Sequence, residues 1–558
     1  MKKLALEIIQ ELLKKSPLTE EEILGIKRKW AKKYKTSLPT NAELLAAYRQ
    51  NSKKDINLEY LLRKRQVRTL SGVAPIAVLT KPYECPGKCA YCPSEKKMPK
   101  SYLSNEPAVM RAQLCDWHPF KQVALRIKAL EANGHKTDKL ELIVMGGTWS
   151  ALPGKYKLWY IYSCYKAANN PKISLKHKNI KTLKQNKIKV DIKLKSQSKI
   201  TSNDIYKEQK KNEKASHRIV GLTLETRPDL ITEQEALKMR QLGCTRVEIG
   251  VQSLDNKILK LNERGHGVAE TISATNILRE FGFKITYHMM LNLPGATPAK
   301  DLKMFKELFS NSAFQPDSIK IYPCVVTKDS KLYNWWKAGK YKPYSEKVLR
   351  KLLVEIKKIV PYYVRIIRVI RDIPEESIEA GNKITNLRHL LDAKCKCIRC
   401  REVGHQSNKQ GATNNKQGKL KLFMQKYKAG VYTEYFLSYE SLDRKILYAF
   451  CRLRIPNKNT FDTGHFDTGL WTRSVPMIRE LHTYGQMVPI SAKFKLASQH
   501  KGLGKKLLKE AEKIAWQNKF NKIAVISGIG VREYYKKLPA RRNGGGYKLK
   551  DTYLIKNL

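Results

Sequence analysis

Two cysteine triplets are the residues best placed to do chemistry. Cys85, Cys89 and Cys92 stand in KPYECPGKCAYCPSE at spacing C-x3-C-x2-C, and Cys395, Cys397 and Cys400 stand in AKCKCIRCREVG at C-x-C-x2-C. A structural zinc site is normally closed by four ligands, usually given as two pairs, and the first triplet has no second pair nearby. A 4Fe-4S cluster held by three cysteines leaves one iron free to bind a substrate or cofactor, so three ligands suffice there. The second triplet is tighter and lies in a basic context. A structural zinc between two domains is favoured there over a second cluster or three reduced thiols, with His389 and His405 as alternatives for the fourth ligand.

A third constellation lies near the end of the chain, in SQHKGLGKKLLKEAEKIAWQ. Gln499, Gly502 and Gly504 form Q-x-x-G-x-G at the start of a helical pattern with Leu503, Leu507, Leu508, Ala511 and Ile514 on one face. Glycines there let successive backbone N–H groups point into the loop, and the helix N-terminus adds positive potential, which suits a pyrophosphate. Tyr534 and Tyr535 follow in VREYYKKL, where half-buried packing competes with any functional role.

The elements that must position these residues alternate. From about residue 72 the β-rich runs APIAVLT (74–80), ELIVMGG (141–147), IVGLTLE (219–225), RVEIGVQ (246–252), KITYHMMLNL (284–293) and SIKIYP (318–323) are separated by helical patterns, several closing on Gly. Strand and helix in alternation predict a parallel sheet with helices outside, an α/β fold. Six repeats predict a partial (β/α)6 barrel over 71–385. Residues 1–70 read as a basic helical segment, either solvated or RNA-binding. The stretch 172–214 carries fourteen lysines and few aromatics and is expected to be a mobile surface insertion. A second polar stretch, 405–419, reads as a loop within a linker over 386–419, and a further α/β domain follows over 420–558.

Lys plus Arg number 108 against 50 acidic residues in 558, a formal charge of +58. Such a balance points to a polyanionic partner, nucleic acid first, unless it reflects a lysine-biased surface alone. Glu7, Gln10 and Glu11 interrupt the only signal-like apolar run, and no stretch approaches a membrane span, so a soluble, cytoplasmic protein is expected. Eleven cysteines grouped as two triplets and five singles suit reduced, metal-binding thiols better than a disulfide framework.

The first triplet, in the loop after the first barrel strand and with Tyr91 before its last cysteine, resembles the radical S-adenosylmethionine (SAM) superfamily. That resemblance implies that Cys85, Cys89 and Cys92 hold a 4Fe-4S cluster whose open iron binds SAM. Gly146 and Gly147 match the first two residues of that superfamily's GGE motif, which contacts the SAM methionine; Thr148 replaces the third, leaving backbone or hydroxyl to make the contact. The order of QMVPIS, the Q-x-x-G-x-G loop, KIAVISG and VREYYKKL resembles the GNAT acetyltransferase fold, which implies acetyl-CoA as co-substrate.

Both halves in one chain, with EPAVMRA, IVMGGTW, LTLETRPD, EIGVQS, NLPGATP, CREVG, RELHTYG and QHKGLG, resemble the Elongator catalytic subunit family in its stand-alone form. The resemblance implies an enzyme that uses a SAM-derived radical and acetyl-CoA to place a carboxymethyl group at carbon 5 of the tRNA wobble uridine. Matched positions for acetyl-CoA are Lys139, Glu480, Leu481, His482, Thr483, Leu503, Gly504 and Lys505, with Tyr534 or Tyr535 near the thioester; Cys395, Cys397 and Cys400 match a zinc linker. A monomer or homodimer, with or without companion subunits, is compatible with the stand-alone form. The competing reading is a protein lysine acetyltransferase with a merely structural cluster, for which Glu480 would serve as general base. A non-catalytic RNA-binding scaffold is disfavoured, because a structural site gains nothing from an open iron.

Overall fold

The computed structural model describes residues 2–15, 18–50, 55–176, 187–384, 386–391, 394–407, 420–457, 471–484, 502–538 and 546–558. Among these, the strands are β1 (Ala74–Leu79), β2 (Lys139–Met145), β3 (Ile173–Lys176), β4 (Lys187–Val190), β5 (Arg218–Thr226), β6 (Arg246–Gln252), β7 (Lys284–Leu291), β8 (Ser318–Pro323) and β9 (Arg365–Val369). β1, β2, β5, β6, β7, β8 and β9 form one sheet in that order, every neighbouring pair parallel. It is the expected curled barrel with one strand more than the six predicted. The extra strand, β9, follows the strongly amphipathic helix Glu346–Ile359.

Side chains alternate across each strand. Val247, Ile249, Ile285, Ile319 and Ile321 are buried in the main core. Tyr287 on the same face reaches Thr275 of the helix Val268–Glu280, which fixes that face as the outer, helix-covered one. The intervening residues Glu248, Thr286, His288, Lys320 and Tyr322 therefore line the inside of the curl.

Helices Lys2–Lys14, Glu20–Lys33, Asn41–Gln50 and Ile56–Leu62 pack about a core of their own that includes Ile8, Ile9, Leu12, Leu44, Leu45 and Tyr48. The stretch 172–214, expected as a mobile surface insertion, contains regular elements among its described residues. β3 and β4 pair as an antiparallel hairpin, and the helix Ser202–Asn212 packs on the preceding barrel helix, Gly154–Asn169. Polar residues hold it: Asn169 donates to Glu208, Asn212 Nδ2 donates to Asn169 and His217, and the backbone N of Ile219 donates to Asn212. Composition alone undercounts such bonds, which stabilise a segment poor in apolar area. Its central part, 177–186, lies outside the described residues, as do 408–419 of the linker loop.

The C-terminal sheet contains β10 (Leu420–Ala429), β11 (Tyr432–Ser441), β12 (Leu447–Pro456), β13 (Met477–Thr483), β14 (Lys522–Val525), β15 (Lys548–Lys550) and β16 (Tyr553–Asn557), ordered β10-β11-β12-β13-β14-β16-β15. The helix Leu503–Gln517 buries Leu503, Leu507, Leu508, Ala511 and Ile514 against it, as its pattern predicts. β13 and β14 pair only at Met477–Ala524 and Ile478–Val525. Their separation beyond Ile478 opens a wedge in the sheet.

This sheet docks on the amino-terminal end of the barrel. Asp317, just before β8, accepts from Arg479 Nη1 at 2.8 Å and lies 3.4 Å from Arg452 Nη1; Arg479 also lies 2.8 Å from Glu434. Arg452 donates to the carbonyl of Tyr363, Tyr553 to that of Phe281, and His482 Nε2 lies 2.8 Å from that of Ser71. Each carbonyl precedes a barrel strand. Asp317→Ala would remove the carboxylate that the two guanidiniums share, leaving Arg479 with Glu434 and Arg452 with Glu480, so we expect a loss of about 1–3 kcal/mol. A lowered thermal midpoint with early loss of the interdomain contacts, read by hydrogen exchange, checks it.

Candidate active site

The cysteine loop after β1 crosses the carboxyl rim of the barrel, where the loops following several strands hold it. Ala90 N donates to Asn262 O at 3.1 Å, Ser94 N to Asp329 O at 2.9 Å, and Leu332 N to Ala90 O at 2.9 Å. Cys89 is buried against two guanidiniums, Arg264 Nη1 at 3.2 Å and Arg227 Nη1 at 4.0 Å. Burial opposes its ionisation, but Arg264 and then Arg227 outweigh that and hold the thiol below its ordinary value. Cys92 is pushed up to about 11 by burial and by Cys89. Cys85 Sγ lies 3.4 Å from Thr148 Oγ1 and accepts from Gly87 N at 3.4 Å.

Gly146 and Gly147 turn the chain beside this loop, both in the left-handed region at φ 128° and 90°. A Cβ at Gly146 would strike Thr80, so glycine is required for β1 and β2 to end side by side. Thr148, in place of the acidic residue of the GGE pattern, is thereby brought to Cys85 itself.

The two triplets differ in closure. Among the described residues, Cys395, Cys397 and Cys400 are the one group of three ligand atoms lying within 4.8 Å of one another. Thiolates on a single tetrahedral zinc at about 2.3 Å sit roughly 3.8 Å apart, so this triplet suits one ion. Cys85, Cys89 and Cys92 do not close so far, which suits ligands of different irons in one cube. Arg264, with no ion-pair partner among the described residues, fits a site that must hold net negative charge, whereas Arg227 is itself paired with Asp229 at 3.0 Å. Of the proposed fourth zinc ligands, His405 has Nε2 2.9 Å from Glu402, itself paired with Arg365, and the side chain of His389 lies outside the described residues.

Beneath the rim, charged groups run down the inside of the barrel. Tyr102 donates to Glu225 at 3.4 Å; His288 lies between Glu225 at 3.5 Å and Glu248 at 2.9 Å; Lys320 pairs with Glu248. Burial opposes ionisation of Glu248, yet Lys320 and then His288 hold it well below the usual carboxylate range. Arg246 continues the column to Glu141 at 2.8 Å near the floor. The sequence reading missed this column, and also Arg227 and Arg264. The usable signal was position: Glu225 and Arg227 stand at and just after the carboxyl end of a parallel barrel strand, where such barrels place their active sites.

In the C-terminal sheet the predicted residues divide by alternation along β13. Gly504 lies against Tyr534, Thr483 and Leu481: a Cβ there would be 3.1 Å from Tyr534 Oη, 3.7 Å from Thr483 Oγ1 and 3.8 Å from Leu481 Cδ2. These four residues gather beside the wedge, at the N-terminus of the helix that starts at Leu503, with Gly502 left-handed at φ 73° and Lys505 in the first turn. Tyr534 is partly exposed and its phenol is pushed up to about 12 by burial, whereas Tyr535 is buried edge-on against Tyr534 and Tyr547. Gln499 and QMVPIS lie outside the described residues.

Glu480 and His482 point the other way, into the interface. Glu480 accepts from Arg452 at 3.0 Å and Lys284 at 3.3 Å. Burial opposes its ionisation, but Lys284 and then Arg452 hold the carboxyl well below the usual range, so it is a poor general base. Lys139 stands at the first position of β2, at the floor beside the docked domain and not at the rim; burial lowers its ammonium.

A curled parallel barrel with three cysteines on its carboxyl rim defines a radical SAM protein, here with a second sheet domain docked on its floor. The radical SAM superfamily model matches residues 81–308, and the Radical_SAM C-terminal domain matches 316–396. The chain is 41% identical to tRNA uridine(34) acetyltransferase of Methanocaldococcus jannaschii, over 96% of this chain and 95% of that protein. It is 35% identical to human Elongator complex protein 3, over 99% and 96%. The solved structure of archaeal Methanocaldococcus infernus Elp3 lacking residues 1–46 superposes with a TM-score of 0.69 at 39% identity, covering 88% of this chain and all of that one. The chain belongs to the tRNA uridine(34) acetyltransferase and Elongator complex protein 3 family. No helix among the described residues is long and apolar enough to cross a membrane.

Arg264→Gln removes a charged neighbour that faces Cys89 without removing a ligand. Outer partners of this kind support metal affinity by about 10- to 100-fold. The variant is expected to retain the fold by circular dichroism and to lose iron and sulfide faster than wild type during anaerobic desalting.

Proposed function

We propose that this chain is a tRNA uridine(34) acetyltransferase that installs a carboxymethyl group at carbon 5 of the wobble uridine, taking both carbons from acetyl-CoA. The observation that carries the reading is the joining, in one chain, of a barrel whose rim bears the three-cysteine loop to a sheet domain with a glycine-led helix beside an open wedge. Similarity over nearly the full chain to proteins named for that activity supports it.

Cys85, Cys89 and Cys92 would hold a 4Fe-4S cluster, with Gly146, Gly147 and Thr148 beside SAM. When bound, the cluster and SAM would supply hydrogen-abstracting one-electron chemistry, the electron coming from an external reductant; joining the acetyl methyl carbon to uracil would also take loss of the C5 hydrogen and hydrolysis of the thioester, which frees CoA. The protein's own contributions are placement and exclusion of water. Arg264 offsets negative charge at the rim. Lys320 and His288 keep Glu248 ionised inside the barrel, giving the interior fixed charges in place of mobile water. In the sheet domain, backbone N–H groups from Gly502 onward would hold the CoA pyrophosphate, and Tyr534 Oη, beside Gly504, would be the hydroxyl offered to the thioester.

Cys395, Cys397 and Cys400 would hold a zinc ion that fastens the linker beneath β9. Backbone hydrogen bonding from Ile398 N to Val364 O at 3.0 Å already ties them there. A tRNA substrate fits a cytoplasmic enzyme, with the anticodon loop opened at the rim, since an enzyme acting on one base takes it out of the stack. Lysine acetylation is the weaker reading, because Glu480 is committed to Arg452 and Lys284.

Protein reconstituted anaerobically, then given SAM, reductant, acetyl-CoA and unmodified tRNA, is expected to release 5′-deoxyadenosine and to form carboxymethyluridine in digested tRNA. Cys89→Ala should abolish both while leaving acetyl-CoA binding within about twofold of wild type, since the two sites lie in separate domains with no shared contact. Acetylation of a protein substrate without either product would replace this reading with the other.

A further inference from the structure

Several buried arginines have carboxylates against them: Arg365 with Glu402, Arg452 and Arg479 with Asp317, Arg473 with Glu233 and Glu280. Others, Arg240, Arg279 and Arg454, donate to main-chain carbonyls instead. One further group of cations clusters around a pocket. Where the N-terminal helices meet the barrel helix Pro119–Ala132, Lys64, Arg65 and Arg68 line a pocket of about 190 Å³ together with Leu130, Asn133 and His135. Arg126, on that helix, and Arg111, on the helix Pro107–Leu114, are half-buried beside it. None of Lys64, Arg65, Arg68, Arg111 and Arg126 has a carboxylate partner among the described residues. Arg111 donates only to a carbonyl, that of Pro107 at 2.8 Å.

The backbone that carries the group is held in place, with Lys64 and Arg65 exposed and Arg68 half-buried. Lys64 N donates to Asn133 O at 3.2 Å, Arg63 Nε donates to Gly134 O at 3.0 Å, and His135 Nε2 lies 2.9 Å from Lys64 O. Arg65 adopts the left-handed conformation at φ 55°, which is uncommon for a non-glycine residue and directs the chain around the pocket. The guanidiniums feel each other: Arg126 is pushed down to about 10, first by burial and then by Arg68, Arg111 and Arg65. Such an arrangement is unfavourable until an anion completes it.

We propose that this seam is a phosphate site for the tRNA backbone, in which Arg68 and Arg126 are the central contacts and Arg65, Lys64 and Arg111 surround them. The inference rests on the proposed function. It places the contact away from the chemistry, because residues 64–68 precede β1 and 133–135 precede β2, at the end of the barrel opposite the cysteine rim. The seam therefore grips the tRNA body while the anticodon loop occupies the rim. Guanidinium forks suit phosphate oxygens bidentately.

The test uses the full-length holoenzyme with unmodified tRNA, titrated over a series of salt concentrations. Arg68→Gln/Arg126→Gln is expected to weaken tRNA binding about tenfold or more and to reduce the slope of log affinity against log salt by about 1–2. Its melting temperature should be unchanged or higher, since repulsion is relieved. Arg68→Lys/Arg126→Lys should keep most of the affinity and of the salt slope; equal loss in the Lys and Gln variants would assign the arginines to structure and overturn the proposal. Wild-type affinity and slope in the Gln variant would also overturn it, as would inorganic phosphate stabilising only the wild type while tRNA affinity stays the same. Failure of the wild type to bind tRNA would instead overturn the proposed function.

Discussion

Asp317 carries the junction on which the two halves of the protein depend. Its carboxylate accepts the backbone N of Ile285 at 2.8 Å inside the barrel sheet and the guanidinium of Arg479 from the other domain. The same residue thus sets the spacing of β7 and β8 and receives the second sheet. A buried pair of this kind adds little net stability over apolar packing but fixes geometry strictly, because any displaced charge would be stranded without water. Arg452 extends the constraint to the carbonyl of Tyr363 before β9 and to Glu480 on β13. The strand that borders the wedge is therefore registered directly against the barrel floor.

That register has a chemical consequence. The wedge at Leu481, Thr483, Gly504 and Tyr534 sits on the face of β13 opposite Glu480 and His482, so interface and cleft are two sides of one strand. Between floor and rim lies the charged column from Glu141 and Arg246 through Glu248, His288 and Lys320 to Glu225 and Tyr102. An apolar lumen would have packed more simply. Fixed, paired charges there provide a polar interior that need not reorganise, which suits a reactive intermediate that must meet a specific partner and not bulk water.

Local spacing made the cysteine triplets, the six strand runs and the glycine-led helix legible in the sequence, because each depends on residues within a few positions of one another. The strand β9 was harder to read: RIIRV carries arginines on both sides of a short apolar run, and Arg365 is accommodated by Glu402 and the Tyr484 hydroxyl, both later in the chain. Arg227 and Arg264 became visible as partners of Cys89 only when loops separated by more than a hundred residues were brought together. Family likeness placed Glu480, Leu481, His482 and Thr483 in one group, and strand alternation then split them between interface and cleft. Lysine counting did not show the regular elements in 172–214, where Asn212 and Glu208 supply the bonds that apolar residues do not.

All of this serves one claim, that rim and wedge act on the same acetyl group. Acetyl-CoA deuterated on the methyl carbon tests it directly, in reactions with SAM, reductant and tRNA. The account predicts deuterium in the released 5′-deoxyadenosine and retained deuterium in the carboxymethyl group on uridine. Unlabelled 5′-deoxyadenosine formed alongside labelled product would contradict it.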